Sequence, residues 1–202
     1  MYIVTVTGGL AAGKGVACDY FHSRGAVVIE LDEVARRFLA PGHPIAVRLV
    51  EEFGEGILGE GGGINRAKLA KRAFEDDASA LKLNKIVHPA VASEDLPGLT
   101  EMGLLQNPPR YVVLDVPMLV EAPVYVEMAD VVVAISAPEE IRLARAVDRG
   151  MDEADARARI ARQATESERQ ALADTVIVNS TTREEFLAAL ERFWDGVVEG
   201  VT

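Results

Sequence analysis

The chain has 202 residues, 49% hydrophobic and 26% charged, a balance that supplies one substantial core, or a core with an appended lobe, and excludes intrinsic disorder. Its formal charge of −11 opposes binding to a nucleic-acid backbone, where affinity comes from Lys and Arg neutralising phosphates; small phosphorylated ligands stay open, because a few local cations suffice. A single Cys, Cys18, excludes an intrachain disulfide, no apolar run approaches the ~18 residues of a membrane helix, and no basic, apolar leader precedes the first strand. The expectation is a cytoplasmic protein with neither nucleic-acid nor membrane partners.

The first apolar run, Tyr2–Thr7 ("YIVTVT"), reads as a buried strand and leads directly into "GGLAAGKG", Gly8 to Gly15. Beyond Lys14, the apolar residues Val16, Ala17, Tyr20 and Phe21 share one helical face, and Gly25 supplies a stop. A Gly-rich turn between strand and helix aims backbone N–H groups at a common point, so Gly8, Gly9, Leu10, Ala11, Ala12, Gly13, Lys14, Gly15 and Val16 are the expected polyphosphate cradle, with Lys14 reaching the β- and γ-phosphates. The plainer alternative is a Gly-rich turn carrying an exposed Lys. Gly15 is a departure, since the Ser or Thr that usually follows the Lys ligates Mg²⁺ and neither Gly15 nor Val16 has a hydroxyl. Mg²⁺ readily keeps water ligands, so a competent site with fewer direct protein–metal bonds is expected.

The second strand candidate, Ala26–Leu31, ends at Asp32, the start of "DEVARRFL". Asp32 fits an N-cap; at the C-terminal end of a strand in a doubly wound sheet it also borders the ligand crevice, where a carboxylate can orient a hydroxyl and accept its proton. From there to Arg110 the strands lapse, and several helices are punctuated by "PGHP", "GEGGG" and "NPPR". Arg66, Lys68, Lys71, Arg72, Lys82 and Lys85 make part of this stretch cationic, which fits an anionic acceptor as well as an exposed helix face. His88 precedes Pro89, a pattern that ordinarily marks a helix end.

A third strand, Tyr111–Val116, carries Asp115, which resembles the acidic strand end that holds water-bound Mg²⁺ beside phosphate loops. Glu121, shortly after it, fits a solvated surface as well as a site. Val131–Ser136 and Thr175–Val178 complete five strands, all apolar enough to be covered on both faces, and the helices between them predict a doubly wound parallel α/β sheet. Between residues 139 and 169 there are seven Arg and no Lys; Arg142, Arg145 and Arg149 fall at i, i+3 and i+7, so one helix face can aim guanidinium groups at a phosphate. Thr182 and Glu185 fit a capping box opening a C-terminal amphipathic helix that includes Phe186, Leu190, Phe193, Trp194 and Val197.

The ordered set "TGGLAAGKG", "ELDEVARRFLAPG", "NKIVHP", "VLDVPMLVE", "RARIARQAT" and "ADTVIVNS" closely resembles the dephospho-coenzyme A kinases over almost the whole chain. The resemblance implies a P-loop NTPase core of nucleotide-kinase-like type at 1–31, 111–137 and 174–202, a helical coenzyme-A-binding domain at 32–110 and a lid at 138–173. The implied reaction moves the γ-phosphoryl group of ATP to the ribose 3′-hydroxyl of dephospho-coenzyme A, with ATP and Mg²⁺ as cofactors. It implies Asp32 as base, Lys14 on the transferring phosphate, Arg145 as the lid arginine and Arg149 as a second. Arg36, His88 and Asp115 are implied on the acceptor side, Asp115 also holding the metal through water, and Asn179 near the adenine. Two other readings share the loop: another small-molecule P-loop kinase, and a non-catalytic nucleotide-binding regulator.

Overall fold

A computed structural model describes the backbone of residues 1–73 and 75–201; the side chains at 34, 35, 77, 84, 88, 89, 91–98, 100 and 201 lie outside that description. Five strands, β1 (Tyr2–Gly8), β2 (Val27–Glu30), β3 (Tyr111–Asp115), β4 (Val131–Ser136) and β5 (Thr175–Val178), form one sheet in the order β2-β3-β1-β4-β5. Every pairing is parallel. All strands therefore end on the same side: Val6 of β1 is level with Asp115, Gly8 with Ile135, and Glu30 of β2 with Asp115.

Burial follows position in the sheet. Central strands β1, β3 and β4 are almost wholly buried, as an unbroken Val/Ile pattern requires when helices cover both faces. The edge strands depart from that expectation: Val27 is 38% exposed and Val178 55%, because an edge strand has a neighbour on one flank only. On one face α1 (Lys14–Ser23) packs beside α10 (Arg183–Val201). Phe21 stacks on Trp194 with ring centroids 5.0 Å apart, and Tyr111 meets the same indole edge-on at 5.1 Å. Val4, Val6, Val113, Val133, Ile135 and Leu190 complete this core, each fully buried. The capping box holds, with the Glu185 N–H donating to Thr182 Oγ1 at 3.2 Å and the Thr182 N–H to Glu185 Oε2 at 3.4 Å.

Two compact units result. The first contains residues 1–30 and 106–202. Its helices include a short α6 (Val124–Glu127), then α7 (Glu139–Asp148), α8 (Glu153–Arg162) and α9 (Glu166–Ala171); residues 138–173 thus group with the sheet. The second unit, residues 31–105, is helical: α2 (Leu31–Arg37), α3 (Pro44–Phe53), a single 3-10 turn at Glu55–Ile57, α4 (Arg66–Ala73) and α5 (Asp77–Gly103). Its own core gathers Phe38, Leu49, Ile57 and Ala73, all essentially inaccessible. His43 caps α3, its Nδ1 accepting from the Ile45 N–H at 3.2 Å while its ring lies against Phe38. The Gly-rich stretch closes a tight turn in which Gly61 and Gly62 have φ of 104° and 83°, values that favour glycine. The helix end expected at His88-Pro89 is not seen; α5 continues through it. No helix among the described residues is long and apolar enough to cross a membrane.

Candidate active site

The turn between β1 and α1 is shaped by what surrounds it. At Gly8 a Cβ would stand 2.7 Å from the Ile135 carbonyl oxygen, so only glycine lets β1 leave the sheet this close to β4. The chain then turns, the Ala12 N–H donating to the Gly9 carbonyl at 3.1 Å; Ala11 takes a left-handed φ of 57° and Gly13 a φ of 110°. Gly13 caps α1 without any side-chain acceptor. The first-turn amides of a helix have no intrahelical acceptor, so those of Lys14, Gly15 and Val16 present the positive end of α1 to a ligand.

Two sets of side chains grip the turn. On Asn179, just beyond β5, Nδ2 donates to the Ala12 carbonyl at 2.8 Å and occupies the space a Cβ at Gly13 would need. Arg145 of α7 donates from Nη1 to the Asn179 carbonyl at 3.1 Å and from Nη2 to Asn179 Oδ1 at 3.2 Å. Asn179 therefore joins the turn to Arg145, with its carboxamide spent on those two partners. On the other side, the Leu10 N–H donates to Gln163 Oε1 at 2.8 Å, and the guanidinium groups of Arg142 and Arg169 lie 2.5 and 3.0 Å from the position of a Cβ at Gly9. Arg142 is 5% and Arg169 3% exposed. Burial lowers the Arg142 guanidinium below its ordinary range, opposed by Glu166 nearby; Arg169 pairs with Glu166 at 3.1 Å.

The ammonium of Lys14 pairs with Asp115 Oδ1 at the end of β3, their side chains 17% and 11% exposed. One turn along α1, the Cys18 thiol lies in this environment, and burial with the Asp115 carboxylate close by pushes it well above the usual thiol range. It is a buried, protonated packing group.

The sequence-predicted residues separate accordingly. Gly8 to Val16, Lys14, Asp115, Arg145 and Asn179 converge in the first unit. The expectation that Arg142, Arg145 and Arg149 share one phosphate-facing side is corrected: Arg142 is buried beneath Gly9, Arg145 is held by Asn179, and Arg149 is exposed as the C-cap that ends α7. The seven-residue spacing predicts a common face only while a helix continues, and α7 stops at Asp148. In the second unit Asp32 is exposed in the first turn of α2, and Arg36 pairs with Glu33 at 2.8 Å. The His88 side chain lies outside the described residues. The sequence carries no signal for Gln163, whose partner Leu10 is 153 residues away, and shows Arg169 only as one of the seven arginines between 139 and 169.

For a metal, the site offers one carboxylate, Asp115. Among the described residues no group of three or more His, Cys, Asp or Glu side chains is arranged to hold an ion, and a Cβ at Gly15 would meet nothing within 4 Å. A single carboxylate, with no other protein ligand grouped around it among the described residues, fits Mg²⁺ that brings nucleotide oxygens and water as its other ligands.

A parallel sheet whose central strand runs into a glycine turn, a helix N-terminus and a lysine paired with the neighbouring strand's terminal aspartate is the architecture of a P-loop kinase. The family model for dephospho-CoA kinase (CoaE) matches residues 2–185. The dephospho-CoA kinase of Frankia casuarinae is 37% identical over 199 residues, covering 98% of this chain and 84% of that one. That of Syntrophotalea carbinolica is 38% identical over 202 residues, covering 98% and 94%. A Thermus thermophilus crystal structure, TT1252, superposes with a TM-score of 0.78 at 28% identity, covering 100% of this chain and 98% of that one. The chain belongs to the dephospho-CoA kinase family.

Proposed function

We propose that the protein transfers the γ-phosphoryl group of ATP to the ribose 3′-hydroxyl of dephospho-coenzyme A, completing coenzyme A. The observation that carries this reading is the Lys14–Asp115 pair beside an anion-accepting turn, in a chain whose family match runs almost from end to end. Phosphoryl transfer asks for alignment and charge neutralisation more than covalent participation, and those are what these residues supply.

The amides of Ala11 and of Gly13 to Val16 take the β- and γ-phosphate oxygens, that of Ala12 donating to the Gly9 carbonyl. Lys14 exchanges its contact with Asp115 for the transferring group. Arg145, held on Asn179, offers its guanidinium to charge that develops on the γ-phosphoryl oxygens, with Arg149 as a second cation on the same segment. Asp32 accepts the proton of the 3′-hydroxyl as the new P–O bond forms and the bond to the β-phosphate oxygen breaks. Arg36 and His88 contribute to acceptor binding. Mg²⁺, when bound, neutralises charge on the β- and γ-oxygens, and Asp115 is the residue that would hold its water ligands. Residues 32–110 serve as the coenzyme-A-binding domain, and residues 138–173 as a lid over the nucleotide.

The test is ATP consumption with dephospho-coenzyme A as acceptor, with and without Mg²⁺, beside a panel of other small alcohols. Acceptor-dependent, Mg²⁺-dependent turnover selective for dephospho-coenzyme A is expected. Preference for another alcohol would identify a different small-molecule kinase, and tight ATP binding without transfer to any acceptor would identify a regulator.

A further inference from the structure

We propose that Gln163 is a positioning residue for phosphoryl transfer, tying the front half of the phosphate loop to residues 138–173 through the Leu10 amide; the catalytic part of this inference rests on the function proposed above. The two residues are 153 apart in sequence, yet the Leu10 N–H donates to Gln163 Oε1 at 2.8 Å. Gln163 is the extended C-cap of α8, its own N–H donating to the Ile160 carbonyl at 3.2 Å. Only Ala164 separates it from Thr165, whose hydroxyl and Glu168 form the reciprocal capping box of α9. Two fixed helix ends thus hold the carboxamide in place. Arg142 of α7 and Arg169 of α9 close on Gly9 beside it, so three successive helices meet the loop at Gly9 and Leu10.

The chemistry of the acceptor matters. The Leu10 N–H is committed to Gln163, which assigns phosphate binding to the later amides and makes Leu10 an anchor. A carboxamide oxygen satisfies that N–H without adding negative charge where a triphosphate must arrive; a carboxylate would accept the same hydrogen bond and repel the ligand. Losing the acceptor would leave Leu10 unpartnered and let the turn drift, and misplacement by about 1 Å can cost roughly 10²-fold in rate.

Two variants separate these effects. Gln163→Met keeps the length of the side chain and removes the strong acceptor; it is expected to lower kcat by about 10-fold or more and to speed hydrogen exchange at the Leu10 amide, with the thermal midpoint little changed. Gln163→Glu is expected to keep Leu10 protected and kcat near wild type while raising KM for ATP. A Gln163→Met enzyme with wild-type kcat and wild-type exchange at Leu10 would overturn the proposal, as would equal kcat losses in both variants. ATP affinity and Leu10 exchange measured without acceptor read the tie independently of the proposed reaction. Weakened ATP binding with an unprotected Leu10 in Gln163→Met supports the anchor even if the wild-type protein does not phosphorylate dephospho-coenzyme A, and unchanged values of both refute it.

Discussion

Lys14 meets Asp115 with side chains 17% and 11% exposed, whereas in the helical unit Lys82 meets Glu52 at 2.7 Å with side chains 59% and 35% exposed. The two pairs have the same chemistry and different consequences. A solvated pair contributes little, because water serves each charge almost as well. In the buried pair, removing one partner strands the other in a poorly solvated place. The contrast extends to the surroundings: the turn around Lys14 is gripped by Asn179, Gln163 and two buried arginines, while the cations of the helical unit are mostly on its surface. Fixed polar groups suit the nucleotide end, where a small group must be aligned with an attacking oxygen. Exposed charges suit recognition of a larger, flexible acceptor.

Lys14→Ala should break the comparison most strongly. It removes the proposed transition-state cation, which should lower kcat by roughly 10²- to 10³-fold, and leaves Asp115 buried without the Lys14 ammonium, so the thermal midpoint should fall in the same preparation. Steady-state kinetics and a melting curve check both. Asp32→Asn comes next: turnover should fall by roughly 10²-fold while ATP affinity, by calorimetry, and the melting curve stay at wild type, as the base role proposed for this exposed carboxylate requires. Gly15→Ser sharpens the account of the loop. The added side chain meets open space, so the fold should be unaffected, and the new hydroxyl should lower by a few-fold the Mg²⁺ concentration giving half-maximal activity. Lys82→Met should leave the melting curve unmoved; a clear drop would show that the two regions are not as different as their exposures indicate.

Much of this was legible in the sequence because it is local or periodic. Buried parallel strands write themselves as runs such as "YVVLD" and "VVVAIS", the loop is a contiguous motif, and the Thr182/Glu185 cap spans three residues. What was not legible depends on distant partners or on where an element stops. Arg142, Arg145 and Arg149 look equivalent by spacing, yet one is buried under Gly9, one is bound to Asn179 and one lies past the end of α7. The Gln163–Leu10 bond has no local signature at all. Edge-strand exposure at Val27 and Val178 follows from strand order, which composition does not specify. Proline at 89 reads as a helix end, and α5 continues through it.

The central claim, that this turn and its lysine deliver a phosphoryl group to the 3′-hydroxyl of dephospho-coenzyme A, is tested most directly by identifying the product. After incubation with Mg²⁺ and γ-labelled ATP, phosphorus NMR and mass spectrometry should show the label as a single new phosphomonoester on the ribose 3′-oxygen, absent with the Lys14→Ala protein. Label found only as inorganic phosphate, or on another position of the acceptor, would contradict the account.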